Sequence, residues 1–251
     1  MVMAGLSMIA GCSDGQGSAD TTQRLDVFAA SSLRVTFSEL AELFEARHPG
    51  VDVVLTVGGS SDLATQVAEG APADVLAAAD ERAVAGLAEA GLLAGPAEIF
   101  ATNTLTVVTP PGNPADVTGL ADLARPELAV VVCAPQVPCG AAAQRLASRV
   151  GVTLAPRSEE PSVVDVLAKV VSGEADAGLV YVTDALGAGD AVGRVPVPDA
   201  GEVVNRYPVA VLAGTDQRDL AVAFRDLVTG PDGRRVLTDA GFGTPPALPN
   251  G

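Results

Sequence analysis

Short apolar runs rich in β-branched residues alternate with amphipathic stretches along most of the chain. The first run, LDVFAA, precedes a stretch with glutamates on one side and an apolar set at helical spacing on the other, formed by Phe37, Leu40, Ala41 and Phe44. This order predicts a strand, a turn and an amphipathic helix. The same order recurs after VDVVLTV, ADVLAAA and VVVCAP, and AGLVYV follows another helical pattern. Repetition of this unit predicts an α/β protein with largely parallel sheets.

Two helix boundaries carry local signals. Ser162 precedes an apolar helical pattern and is followed three residues later by Asp165, which is typical of an N-cap. Pro231 and Gly241 bracket a late helix in the usual asymmetric way.

The chain has no internal repeat and no long low-complexity linker that would separate independent domains. This favours two lobes between which the chain crosses more than once, near Thr102 and near Pro208. We therefore predict one lobe from residues 24–102 plus 209–251, and a second lobe from residues 103–208.

A short apolar run at the N-terminus ends with Ile9-Ala10-Gly11-Cys12, and these four residues resemble the lipobox of bacterial lipoproteins. This resemblance implies that Cys12 carries a lipid and that residues 1–23 are a signal remnant and tether, so the protein would be anchored to the outer face of the cell membrane. No Lys or Arg precedes the apolar run, although secretory signals normally begin with positive charge. Either the true start lies upstream, or the segment is a hydrophobic N-terminus without this role.

Charge and missing motifs exclude several functions. The chain has 15 Lys plus Arg against 31 Asp plus Glu, a net charge of −16, which repels nucleic acid. The single histidine, His48, lies at the end of the first long helix and suits a helix-end cation better than a catalytic base. We find no metalloprotease, nucleotide-binding or nucleophile-elbow motif, so we predict a protein that is not an enzyme and needs no cofactor.

Serine pairs lie where predicted strands give way to helices. Ser31-Ser32 ends VFAASS, and Ser60-Ser61 ends VGGSS. Helix N-termini bind anions through free backbone N–H groups and the positive end of the helix dipole, and a hydroxyl adds another donor. Each serine alone could be an ordinary N-cap. Together they indicate an anion site made of neutral donors.

Whole segments make the pattern specific. In order and spacing they resemble the molybdate-binding receptors of ABC importers, from Leu25 to Phe242. The segments are VFAASSL, GGSSDLATQVAEGAPADVLAAAD, NTLTVVTP, VPCG, GLVYVTDA, YPVAV and GPDGRRVLTDAGF. The resemblance implies a periplasmic-binding-protein fold of the second type, with two α/β lobes, a two-stranded hinge and the ligand in the cleft. It also implies an ABC permease and ATPase as partners, and we expect a monomer.

Carried over residue by residue, the resemblance assigns the oxyanion to Ser32, Ser60, Cys139, Val163 and Tyr181. The serines would donate hydroxyl and backbone hydrogens, and the tyrosine would donate its hydroxyl hydrogen. Cys139 and Val163 would donate backbone N–H groups. Molybdenum would be bound as its oxyanion through these donors, with no direct protein ligand to the metal. A tetrahedral dianion presents only acceptors, so a site built of donors suits it.

Alternatives stay open at this stage. Cys139 departs from the family pattern, and it either forms a disulfide with Cys133, six residues away, or serves as a small residue beside a buried free thiol. The ligand could be molybdate, tungstate, sulfate or another tetrahedral oxyanion. An extracytoplasmic serine hydrolase using Ser32 or Ser60 is a further alternative, but neither serine has a recognisable base nearby in the sequence.

Overall fold

The computed structural model describes residues 22–245, which form two five-stranded sheets with helices packed against them. The predicted lipidation site Cys12 lies outside the described residues. In the described range, the helices lack the length and apolar character that a bilayer crossing requires.

The first sheet has the order β2-β1-β3-β10-β4. Its strands are β1 (Gln23–Ala30), β2 (Val51–Gly58), β3 (Val75–Ala77), β4 (Glu98–Asn103) and β10 (Asn205–Val211). The helices of this lobe are α1 (Arg34–Arg47), α2 (Ser60–Ala68), α3 (Arg82–Glu89), α7 (Arg218–Thr229) and α8 (Pro231–Asp239).

The second sheet has the order β7-β6-β8-β5-β9. Its strands are β5 (Leu105–Thr109), β6 (Val130–Cys133), β7 (Ser158–Glu160), β8 (Ala177–Tyr181) and β9 (Gly193–Val195). Its helices are α4 (Pro138–Val150), α5 (Val163–Val171) and α6 (Val182–Gly187). The prediction of a two-lobed α/β fold is confirmed.

Four of the five strands in each sheet run in the same direction, as predicted for largely parallel sheets, and one reversed strand in each, β10 or β5, makes the sheets mixed. β1 runs parallel to β2 and β3, and β6 runs parallel to β7 and β8. Antiparallel pairing appears where the chain passes between lobes, because β10 pairs with β3 and β4 while β5 pairs with β8 and β9.

The two lobe crossings lie at the ends of β4 and β10. The first falls between Asn103 and Leu105, close to the predicted position near Thr102. The second precedes Asn205, earlier than the predicted crossing near Pro208, because Pro208 lies inside β10 at a register shift. Pro208 has no N–H to give, yet its carbonyl accepts the N–H of Ala78 at 2.9 Å and so keeps the strand in the sheet.

Alternation of side chains along β1 and β3 divides the core of the first lobe. Val27 and Val75 belong to the cluster that includes the aromatic side chains of α1 and α7, whereas Phe28 and Leu76 belong to the cluster beneath α2 and α3. The apolar set predicted for α1 is buried. A rigid scaffold on both faces of the sheet therefore fixes the strand ends that lead into the helices.

Candidate anion-binding site

A small cavity lies where strand ends give way to helix starts in both lobes. The carboxyl ends of parallel strands meet at one edge of a sheet, and binding sites in open α/β sheets form there. All the predicted binding residues line this one cavity: Ser32, Ser60, Cys139, Val163 and Tyr181. The structure thus brings together residues that are up to about 150 positions apart in the chain.

The first lobe contributes hydroxyl groups from two strand ends. Ser32 lies in a single turn of 3-10 helix, residues Ser31–Leu33, between β1 and α1. Ser60 is the first residue of α2 and is 2% exposed. Its Oγ accepts the N–H of Ala79 at 3.0 Å, so its own hydrogen is left for an acceptor in the cavity.

The second lobe contributes backbone N–H groups from two helix starts. Pro138 is the first residue of α4 and has no N–H, so Cys139 carries the first available donor of that helix. Val163 is the first residue of α5, directly after the N-cap Ser162. The Ser162 Oγ lies 3.4 Å from the Asp165 nitrogen, which confirms the predicted N-cap and leaves the Val163 N–H outside that interaction.

Tyr181 ends β8 and is the N-cap residue of α6, with 1% of its surface exposed. Burial is the largest influence on its phenol and raises its pKa well above 10, so the hydroxyl stays protonated. The Asn205 Nδ2 donates to the Tyr181 oxygen at 2.9 Å. Because the oxygen accepts there, the tyrosine hydrogen can be donated elsewhere.

Every residue lining the cavity is uncharged. No cluster of His, Cys, Asp or Glu within residues 22–245 is arranged to hold a bare metal ion. Lys or Arg side chains in such a cavity would be desolvated whenever it is empty, which is costly. The site can therefore stabilise an acceptor-only anion through hydrogen bonds and helix dipoles, without fixed charge.

The cavity measures about 10 Å³, close to the space that one water molecule needs. Known small-molecule pockets are roughly 300–1,000 Å³. The small volume therefore favours a compact ion over a sugar, a peptide or a nucleotide.

Two contacts close the cavity between the lobes. Ser61, beside Ser60, donates its hydroxyl to the carbonyl of Gln136 at 3.0 Å. At Gly59, a Cβ atom would lie only 2.7 Å from the carbonyl oxygen of Pro161. The backbones of the two lobes therefore approach so closely at Gly59 that only glycine fits.

Cys133 and Cys139 form a disulfide, which settles the alternative left open by the sequence. The bond joins the end of β6 to the first turn of α4. A Cβ atom on Gly140 would collide with the carbonyl oxygen of Ala134, so the helix start also packs directly on the strand end. Both features hold the Cys139 N–H in place.

Neither serine has a general base. The Ser32 Oγ lies 3.2 Å from the Tyr207 hydroxyl, and Ser60 accepts a backbone N–H. His48 lies at the far end of α1, which is roughly 21 Å long. Its Nδ1 hydrogen bonds to the carbonyl of Phe44 at 2.9 Å, as expected for a helix-end histidine. The arrangement gives no support to the serine hydrolase alternative.

Sequence analysis missed the residues behind the donors. Tyr207 contacts Ser32, Asn205 contacts Tyr181, and Asn103 donates to the hydroxyl of Thr183 at 2.8 Å. The sequence offers only a weak signal for the two asparagines, since each stands at the border of an apolar run, NTLTVV or NRYPVAV. The structure shows that both are buried.

Comparison with known proteins agrees with this architecture. Residues 25–243 match the family model of the bacterial extracellular solute-binding proteins. The molybdate-binding protein ModA of Mycobacterium tuberculosis is 48% identical over 98% of this chain and 95% of its own length.

Among solved structures, the periplasmic molybdate-binding protein of Azotobacter vinelandii aligns with a TM-score of 0.74 at 23% identity, covering 88% of this chain and 99% of that chain. The sulfate-binding protein SubI of Mycobacterium tuberculosis aligns with a TM-score of 0.78 at 22% identity, covering 90% of this chain and 88% of that chain. At these identities the structural matches show the shared fold.

The curated relative confirms the resemblance to molybdate-binding receptors, and the family model confirms a binding protein rather than an enzyme. The chain belongs to the family of bacterial extracellular solute-binding proteins.

Proposed function

We propose that this protein captures molybdate or tungstate between its lobes and delivers it to an ABC importer. The observation that carries the proposal is the cavity itself, where donors from several helix starts converge with no charged lining residue. The proposed ligand contacts are the hydroxyls of Ser32, Ser60 and Tyr181 and the backbone N–H groups of Cys139 and Val163.

The net charge of −16 is compatible with this role. Exposed charges farther than a Debye length of about 8 Å are screened at physiological ionic strength. The helix ends touch the anion directly, so their partial charges act without intervening salt or water.

Sulfate is the second candidate ligand, because a sulfate-binding protein shares the fold with a TM-score of 0.78. Molybdate is favoured because the 48% identity to a molybdate-binding relative spans nearly the whole chain. Sulfate and molybdate have the same shape and charge, so discrimination between them has to come from the size of the cavity.

The proposed role includes two lobes that close on the ligand. With the second boundary set before Asn205, where β10 begins, one lobe is residues 24–102 plus 205–251 and the other is residues 103–204. It also includes an ABC permease and ATPase as partners, a monomeric state, and a lipid anchor on Cys12.

Titration calorimetry with molybdate, tungstate, sulfate and phosphate tests the proposal. We expect saturable binding of the first two at one site per chain. Tight binding of sulfate with no heat from molybdate would favour the second candidate. No heat from any of the four anions would refute an oxyanion receptor.

A further inference from the structure

Two buried asparagines face each other at the points where the chain passes between the lobes. Asn103 ends β4, Asn205 begins β10, and the two residues are paired in register. They are 5% and 1% exposed, respectively. A buried carboxamide lowers stability unless its hydrogen bonds are made, so the partners of this pair carry information about its role.

Asn205 connects the two lobes through its Nδ2 group. One hydrogen bond goes to the Ala79 carbonyl at 3.0 Å and the other goes to the Tyr181 hydroxyl oxygen at 2.9 Å. A carbonyl can only accept, so the contact with Ala79 fixes which end of the carboxamide is the nitrogen. The Tyr181 oxygen must therefore accept, and its hydrogen is directed away from Asn205.

The hydrogen bonds of Asn103 also fix which end of its carboxamide is the nitrogen. Its Oδ1 accepts the N–H of Thr104 at 3.0 Å, which fixes its Nδ2 as the end facing Thr183 at 2.8 Å. The same Nδ2 lies 3.5 Å from the Tyr207 hydroxyl, which in turn lies 3.2 Å from Ser32. The Asn103 carboxamide therefore presents its N–H group toward Tyr207, and either hydroxyl of the Tyr207–Ser32 pair can be the donor.

Ala79 links the asparagine to the other serine. Its carbonyl accepts from Asn205, and its N–H donates to the Ser60 Oγ. Ser60 and Tyr181 thus both accept from a group behind them, so neither hydroxyl hydrogen is used in these two contacts. Hydrogen bonds arranged in one direction polarise and strengthen one another.

We propose that Asn205, supported by Asn103, is a positioning residue that turns the hydroxyl hydrogens of the site toward the anion. The consequence is weaker binding of oxyanions that carry a proton of their own, because the Ser60 and Tyr181 hydroxyls then present hydrogens to the ligand where that proton needs a lone pair. This inference rests on the proposed function, since it concerns the same site.

A double-mutant cycle with Asn205→Leu and Tyr181→Phe tests the inference, using molybdate affinity as the readout. In the protein that keeps Tyr181, Asn205→Leu should weaken molybdate binding about tenfold, which corresponds to a loss of about 1.4 kcal/mol of binding free energy. In the Tyr181→Phe background the same change should weaken binding less than about twofold, because the group on which Asn205 acts is gone. An equal factor in both backgrounds would mean a purely structural role and would overturn the inference.

Asn205→Asp provides a second test that keeps the side-chain shape. The new carboxylate accepts where the amide donated, so the Tyr181 hydrogen should turn toward it and a lone pair should face the cavity. We expect molybdate affinity to fall more than phosphate affinity, so that the ratio of their Kd values shifts at least about tenfold toward phosphate. An unchanged ratio would overturn the inference.

Asn113→Asp is the matched control, because it adds the same charge in a loop of the second lobe. The Asn113 side chain bonds to the backbone of Val117, with its Nδ2 donating to the carbonyl at 2.8 Å and its Oδ1 accepting the N–H at 3.0 Å. This variant should keep the molybdate-to-phosphate ratio of the wild type. Wild-type protein is titrated first: no molybdate binding there refutes the proposed function, whereas wild-type binding with an additive cycle and an unchanged ratio refutes only the role of Asn205.

Discussion

Closure of the lobes should be sensitive to a single methyl group at Gly59. The Cβ of an alanine would lie 2.7 Å from the Pro161 carbonyl oxygen in the other lobe, closer than real Cβ contacts come. The lobes would have to stay a few tenths of an ångström farther apart at this point. Overpacking of this kind costs roughly 1–3 kcal/mol, which corresponds to a loss of about 5- to 150-fold in affinity.

The same substitution should leave the first lobe intact. Gly59 has φ −64° and ψ 133°, an extended conformation that alanine adopts without strain. Alanine also lowers the conformational entropy of the unfolded chain, which stabilises by about 0.4–1 kcal/mol at a compatible site. We therefore expect Gly59→Ala to weaken molybdate binding while the melting temperature without anion stays the same or rises.

The test compares Gly59→Ala with a control variant, Gly86→Ala, by calorimetric titration with molybdate and by thermal melting. Gly86 lies in α3 of the same lobe, and nothing lies within 4 Å of its Cβ position. Gly86→Ala should bind molybdate like the wild type. Wild-type affinity in Gly59→Ala would refute closure through this contact, and a lower melting temperature would show that the contact belongs to the fold of the unliganded protein.

Three further predictions follow from single groups. Val163→Pro deletes the N–H at the first position of α5, where proline is tolerated, so molybdate affinity should fall about tenfold with a melting temperature near that of the wild type; unchanged affinity would remove Val163 from the site. Thiol titration of the denatured, unreduced protein should detect neither Cys133 nor Cys139, so that at most one thiol per chain reacts, that of Cys12 when it carries no lipid; two or more thiols per chain would contradict the disulfide. Burial raises the pKa of the Asp184 carboxyl from 3.8 to about 7, so the folded protein holds this proton more tightly than the unfolded chain and its stability falls as pH rises from about 4 to about 7. Between pH 5 and pH 8 the wild type should lose roughly 2–3 kcal/mol of unfolding free energy relative to Asp184→Asn, measured by urea denaturation, and parallel pH profiles would refute this assignment.

The local elements were predictable because their signals are local. The apolar spacing of α1 and the Ser162 N-cap both depend on neighbours within one or two turns, and both are confirmed. Strand direction depends on partners far away in the chain. The antiparallel pairing of β5 and β10 therefore left no signal in the alternation of apolar runs.

The residues that face the cavity were predicted from the family resemblance, whereas those behind them were not. Ser60 and Tyr181 lie in recognisable segments at strand ends. Asn103 and Asn205 act only because β4 and β10 pair in register, and nothing within about ten residues of either one indicates that pairing. The position of the second crossing was missed for a related reason: Pro208 usually marks the border of a strand, but a register shift accommodates it inside β10.

A crystal structure of the protein grown with tungstate tests the central claim most directly, because tungsten scatters anomalously and locates the ion without ambiguity. We predict one strong anomalous peak in the cavity, with oxyanion oxygens within about 3 Å of the hydroxyls of Ser32, Ser60 and Tyr181 and of the N–H groups of Cys139 and Val163. A peak held by carboxylates or by Lys and Arg side chains elsewhere on the protein, with none in the cavity, would contradict the account.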